Sequence, residues 1–483
     1  MLRAACSVFR IIAILAIFAA TSEVHAASQR LHRYTVTLDD QLSVIQVRAC
    51  FDGAAPSMLV AQSLDASTVL EDAAPVGGKK KLEPNGTELR LGTLPNDSCI
   101  TYRSNLNELR GGHERGGAPT RHVGADLVTD LGLWLWRPEP LGADEDVEVS
   151  FILPPETAVS APWQLVATPN SPPKYRIGHS PYDWPGAVSF GHFTEQNIAA
   201  GGAQIHLAVL DGRPKTDVQQ MTRAVEQAAS AVMTLYGRFP VPSLQVEIVP
   251  GARGNEPVPS AYVLRGGGPS AHFFINQRRP AAEFDKDWTM VHELSHLLLP
   301  FIRSEDAWLS EGTASYYQNV LRARVGSIAP LDAWQALHVN FIRGSSSMPG
   351  VTLADATERM YRTGEFMRVY WEGAAIILMA DQRLRAGSAG KESLDTALEK
   401  LQRCCLSPNI GWRASDLFDK LDALTETSVF GDLYREYVGS ETFPDLSETY
   451  RLLGLRPNRT GVLELIDDAP QRADRDAIMR TPR

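Results

Sequence analysis

The chain has 483 residues, 44% hydrophobic and 22% charged, with 37 Gly and 31 Pro. That composition excludes a disordered chain, a collagen repeat and a coiled coil, and it can fill more than one buried core. A formal charge of −10 argues against a nonspecific binder of nucleic acid or of an anionic membrane surface.

Arg3 and Arg10 flank an apolar run over 11–20, too short to cross a bilayer. Val24-His25-Ala26 follows with residues tolerated around a cleavage site. Residues 1–26 therefore read as a signal peptide, with an exported mature chain that is periplasmic or secreted and keeps no membrane span. Export makes the remaining cysteines interpretable. Cys50, Cys99, Cys404 and Cys405 allow three pairings. Cys50 ends one strand-like segment and Cys99 opens another, so Cys50–Cys99 is the expected bridge, contributing ~4 kcal/mol in the chain-entropy model. The adjacent Cys404 and Cys405 are either a vicinal disulfide or two thiols. None has the spacing of a zinc-thiolate site.

From 27 to 212 the apolar residues alternate, as at Tyr34, Val36 and Leu38 and at Val147, Val149 and Phe151, between clusters of Pro and Gly. This is the pattern of a β-sandwich. The glycine-rich stretch 111–124 reads as an exposed loop, and Lys79-Lys80-Lys81 as a surface turn. Near 215 the period becomes helical. Thr216-Asp217 caps a helix with apolar Met221, Val225, Ala228, Val232 and Leu235, stopped by Gly237. Strands are expected around 244–249 and 272–275, and helices over 283–299, 308–324, 366–384, 394–401, 417–424 and 430–438. The tail after Pro457 is polar and expected to be loose. The fold class is α+β and multidomain.

The chemistry concentrates in three helices. Residues 292–296 read His-Glu-Leu-Ser-His. Four apart on a helix, His292 and His296 project from one face, where two neutral imidazoles hold one Zn²⁺ and Glu293 reaches its water. A catalytic zinc needs a third protein ligand and an open position. Glu311, in Trp308-Leu309-Ser310-Glu311-Gly312, starts the next helix, which an antiparallel turn places opposite the histidines. Tyr370, in Val369-Tyr370-Trp371-Glu372-Gly373, is either a packing residue or a donor to an oxyanion.

These three motifs together resemble the glycyl-aminopeptidase family of zinc peptidases, of the gluzincin clan that includes thermolysin and the aminopeptidase N family. Leu235-Tyr236-Gly237-Arg238-Phe239-Pro240 and Tyr434-Arg435-Glu436-Tyr437-Val438 extend the resemblance over roughly 230–455. It implies one zinc per chain on His292, His296 and Glu311, Glu293 as general base and Tyr370 as oxyanion stabiliser. It also implies a peptide or protein substrate hydrolysed by zinc-activated water in an aminopeptidase-like reaction. The layout it implies is an N-terminal β-sandwich-like domain over 27–212 and a thermolysin-like catalytic domain over 213–345. A helical part over 346–457 and a polar tail over 458–483 would follow.

Several departures bear on specificity. The spacing from His296 to Glu311 is shorter than the family's by about one helical turn, which leaves Glu305 and Asp306 as alternative ligands. Aminopeptidases of this clan hold the substrate amine with a glutamate on a Gly-rich edge strand. Here that region, Tyr262-Val263-Leu264-Arg265-Gly266-Gly267-Gly268-Pro269, has no carboxylate. Gly266, Gly267 and Gly268 are expected to let a peptide backbone lie close, whereas Arg265 would repel an α-ammonium if it pointed into the cleft. Many family members carry a C-terminal PDZ domain, and this chain reads as one without it. The rival reading is a non-catalytic, zinc-containing periplasmic module that binds peptides or proteins.

Overall fold

The structure is a computed structural model that describes residues 30–109, 120–166, 173–181, 184–406 and 410–481. Residues 1–26, read above as a signal peptide, lie outside the described residues. So does most of the glycine-rich stretch, of which Thr120–Val123 forms a strand.

The N-terminal part is a sandwich. Its larger layer has seven strands, in the order Gln164–Val166, Lys174–Ile177, Glu145–Ile152, Arg30–Leu38, Val44–Cys50, Cys99–Asn105 and Leu70–Pro75. Two four-stranded sheets make the other layer. Tyr34, Val36 and Leu38 bury one face of their strand while Arg33 is exposed, so the period-two pattern in the sequence is the pleat itself. The shared core holds Trp134 and Trp136, whose carbonyls accept from the hydroxyls of Tyr102 and Tyr34 at 3.0 and 2.9 Å. Cys50 and Cys99 sit directly opposite each other on paired strands and form a disulfide. Cys404 and Cys405 form a vicinal disulfide.

A second core begins at Ile198 and runs to Met479 without interruption. It packs helices against a five-stranded sheet ordered Thr194–Ala200, Ala203–Val209, Ser243–Pro250, Ser270–Ile275 and Ser260–Leu264. The last strand is an edge, antiparallel to its neighbour. The five-stranded sheet thus takes in strands from 194 on, ahead of the boundary expected at 213. Strand 203–209 alternates like those of the sandwich, and only its parallel pairing to Ser243–Pro250 assigns it, with 194–200 antiparallel on its other side, to this sheet. The crossover helix Val218–Tyr236 is capped as expected, with the Asp217 carboxylate accepting from Gln220 N and Gly237 left-handed at φ 68°.

Two expectations are corrected. The helix over 283–299 is broken into Ala281–Phe284, Thr289–Ser295 and a 3₁₀ turn His296–Leu298. The Asp287 carboxylate takes the Thr289 amide at 2.8 Å and restarts the chain there. The tail is also folded rather than loose. Leu463–Leu465 pairs with Leu455–Pro457, and helix Arg472–Ile478 buries Ile478 completely. Helices Pro330–Ser345 and Leu353–Thr363 add to those expected. Among the described residues, no helix is long and apolar enough to cross a membrane.

Candidate metal centre

Three helices build the site. His292 and Glu293 lie on Thr289–Ser295, and His296 begins the 3₁₀ turn that continues it. Glu311 lies in the first turns of Ala307–Arg324, and Tyr370 in the first turn of Met367–Ser388. The last two helices touch backbone to backbone at Gly312 and Gly373, where a Cβ on either would collide with the opposite chain. Those glycines directly follow Glu311 and Glu372, so their close contact sets how near Tyr370 comes to Glu311.

His292, His296 and Glu311 each offer one ligand atom, all within 4.8 Å of one another. Glu311 Oε2 is 3.2 Å from His292 Nε2 and 3.7 Å from His296 Nε2. His292 Nδ1 lies 2.7 Å from Gln318 Oε1. An amide oxygen only accepts, so Nδ1 carries the proton and Nε2 keeps its lone pair for a metal. His296 Nδ1 meets the Ser310 hydroxyl at 2.9 Å, which orients the ring with Nε2 toward Glu311. Two oriented imidazoles, one carboxylate and an open side fit a catalytic zinc. Glu305 and Asp306 fall outside the group, and the Asp306 carboxylate accepts from Ala414 N at 2.9 Å.

Electrostatics support the arrangement. Burial pushes the Glu293 carboxyl up to about 7, with Glu311 adding to the rise and His292 opposing it. Burial likewise takes His296 down to about 4, helped by His292 and by the Arg265 guanidinium against the pull of Glu311. Its imidazole is therefore neutral and able to ligate at neutral pH. Burial would raise Glu311, but both histidines and a hydrogen bond from Tyr370 outweigh it and hold the carboxyl below its ordinary value. Burial raises the Tyr370 phenol, as do the carboxylates around it, so it stays protonated as a donor.

Glu293, His296, Glu311 and Tyr370 line one cavity of about 320 Å³, along with Ala261, Tyr262 and Val263 of the edge strand. Tyr361 closes it from helix Leu353–Thr363. The triglycine is elsewhere. A Cβ on Gly266 would lie 2.6 Å from Trp184 O, one on Gly267 2.6 Å from Trp163 Nε1, and one on Gly268 would strike Pro162 O. Gly266, Gly267 and Gly268 thus pack the five-stranded sheet against the N-terminal part and are not among the residues lining the cavity of the metal ligands. Arg265 also has another task. Its Nη2 donates to His296 O at 2.9 Å and Leu299 O at 3.2 Å, satisfying carbonyls that the end of the metal helix leaves open.

Solved structures with this architecture are numerous. An aminopeptidase N family protein from Idiomarina loihiensis superposes with a TM-score of 0.68 at 15% identity, over 91% of this chain and 82% of that one. An M1 zinc metallopeptidase from Deinococcus radiodurans gives 0.54 at 15% identity, over 87% and 95%. The fold is that of the M1 zinc metallopeptidases. A mutant of the Deinococcus enzyme, bound to a Tyr-Ser-Ala substrate, matches this M1 fold at a TM-score of 0.54 and 14% identity, over 86% and 94%. No protein-family model and no curated protein matches the sequence.

Gln318, Ser310, Tyr361 and the Gly312–Gly373 contact are parts of the candidate site that sequence reasoning missed. Gln318 had one usable signal, lying two helical turns after Glu311 on the same face. We expect Gln318→Ala to weaken zinc binding about 10–100-fold, read by competition with a chelating dye. Unchanged affinity would mean that His292 is oriented by another group.

Proposed function

We propose that this protein is an exported zinc-dependent metallopeptidase with Glu293 as general base. The observation that carries the reading is convergence. Three metal-ligand atoms cluster within 4.8 Å of one another, and two of their residues, His296 and Glu311, share one cavity beside a sheet edge with the Glu293 carboxylate and the Tyr370 phenol. The likeness in fold to M1 zinc metallopeptidases supports it. Two disulfides suit an oxidising compartment outside the cytoplasm.

A zinc ion on His292, His296 and Glu311 would supply Lewis acidity, lowering the pKa of a water and polarising the scissile carbonyl. The chain's own groups do the rest. A peptide pairs its backbone with the edge strand at Ala261–Val263. Glu293 accepts a proton as the water oxygen bonds to the carbonyl carbon. It returns that proton to the amide nitrogen as the C–N bond breaks. The Tyr370 hydroxyl donates to the carbonyl oxygen as charge develops there.

Tyr370→Phe should lower kcat by about 10²-fold with little change in KM, since its bond strengthens only in the transition state. An unchanged kcat returns Tyr370 to a packing role. The reading as a whole is tested by digesting a mixed peptide library with the zinc-loaded and the chelated protein and reading products by mass spectrometry. Loss of single N-terminal residues defines an aminopeptidase. Internal cuts define an endopeptidase, which the lack of a further carboxylate among the described cavity residues favours. Stoichiometric zinc without cleavage sinks the reading in favour of a zinc-containing binding module.

A further inference from the structure

A second cleft of about 630 Å³ opens where the edge strand begins, at Pro259 and Ser260. Its described lining includes three arginines, Arg121, Arg213 and Arg253, and one carboxylate, Asp211. In a chain of net charge −10 this reverses the sign of the surface locally. Several arginines elsewhere are paired, as Arg324 with Asp395 at 2.7 Å and Arg385 with Asp381 at 2.9 Å. Among the described residues none of the three cleft arginines has a carboxylate partner.

Packed side chains link the cleft to the metal cavity. The Arg121 guanidinium lies 4.5 Å above the Phe274 ring. Phe274 packs against Tyr262 at 5.4 Å between centroids, and Tyr262 lines the cavity beside Glu293. The edge strand runs from Ser260, at the arginines, past the metal site to Leu264. A peptide paired antiparallel to it sends its C-terminal half toward the arginines. The parallel direction would bring an α-ammonium there and be repelled. At ~3.3 Å per residue, roughly two to four residues beyond the scissile bond reach the cleft.

We propose that Arg121, Arg213 and Arg253 form a carboxylate-binding subsite for the C-terminal side of a peptide laid along the edge strand, which makes anionic peptides the substrate class. This rests on the peptidase reading. The carboxylate is either the terminus of a short peptide or an Asp or Glu side chain. Selectivity then comes from the carboxyl side of the substrate, in a site whose described cavity residues include no carboxylate beyond Glu293 and Glu311 to hold an amine.

The test uses zinc-loaded Glu293→Gln protein and a labelled neutral pentapeptide in three forms: free acid, C-terminal amide, and amide with one internal Glu. Fluorescence anisotropy at low salt should show at least one charged form binding about tenfold tighter than the neutral amide. Which form gains identifies the source of the carboxylate. Arg213 and Arg253 are exposed, so their joint replacement by Gln leaves the fold intact, and it should bring the ratio toward one. Equal affinity for all three forms, a ratio unmoved by the replacements, or no binding of any form would overturn the subsite. Wild-type cleavage of the same peptides separates the two ideas. Cleavage without charge preference sinks the subsite alone, and charge-selective binding without cleavage sinks the peptidase reading alone.

Discussion

Glu293→Gln should keep about one zinc per chain and lose peptide hydrolysis by ~10²–10⁴-fold. Gln matches Glu in shape but cannot take a proton, and Glu293 is not one of the three clustered ligands. The metal content and the rate are therefore expected to separate. A fully active Gln variant would remove Glu293 from the mechanism. The metal-free protein offers a second readout with a definite sign. Burial raises this carboxyl from 4.5 to about 7 in the folded state. The native state thus binds the extra proton, and stability is lost as pH rises through that interval. Glu293→Gln should flatten that loss, which urea titrations of the metal-free pair across pH 4.5–7.5 would show.

Glu311→Ala is expected to abolish both metal binding and turnover. It leaves two imidazoles with no carboxylate to balance the dication, and it strips His292 and His296 of the group that lies 3.2 and 3.7 Å from them. Zinc measured after dialysis against a moderate chelator should fall from about one per chain to near background. Stoichiometric zinc in that variant would reassign the third ligand to a nearby carboxylate such as Glu305. The two variants make a pair: one keeps the metal and loses the chemistry, and the other loses both.

How much of this was legible depended on whether the relevant contact is local in the chain. The His292–Glu293–His296 face follows from helical periodicity within five residues, and it survives the change to a 3₁₀ turn at His296. Glu311 was legible because a short turn constrains the next helix. The triglycine misled because glycine signals only that something comes close. Here that something is Pro162, Trp163 and Trp184, across a domain boundary invisible in the sequence. The sheet to which strands 194–200 and 203–209 belong was hidden because 203–209 carries the same alternation whichever sheet it joins. Tyr361 was hidden on a helix with strong end signals, Thr352 capping Asp355 N and Gly364 left-handed, but few apolar residues. The tail looked solvated because its buried apolar side chains, Leu463, Ile478 and Met479 among the described residues, are few and stand among charges.

Arg265 is the first residue beyond the edge strand, and its guanidinium is fastened to the carbonyls of His296 and Leu299. The rail proposed for a peptide and the backbone that carries the proposed ligand His296 are therefore bolted together by one side chain. A peptide gripping the rail would also steady the ligand. By reciprocity, a metal that steadies the ligand straightens the rail. In such a joint, occupancy of either seat helps fill the other, and slack in one is felt in both.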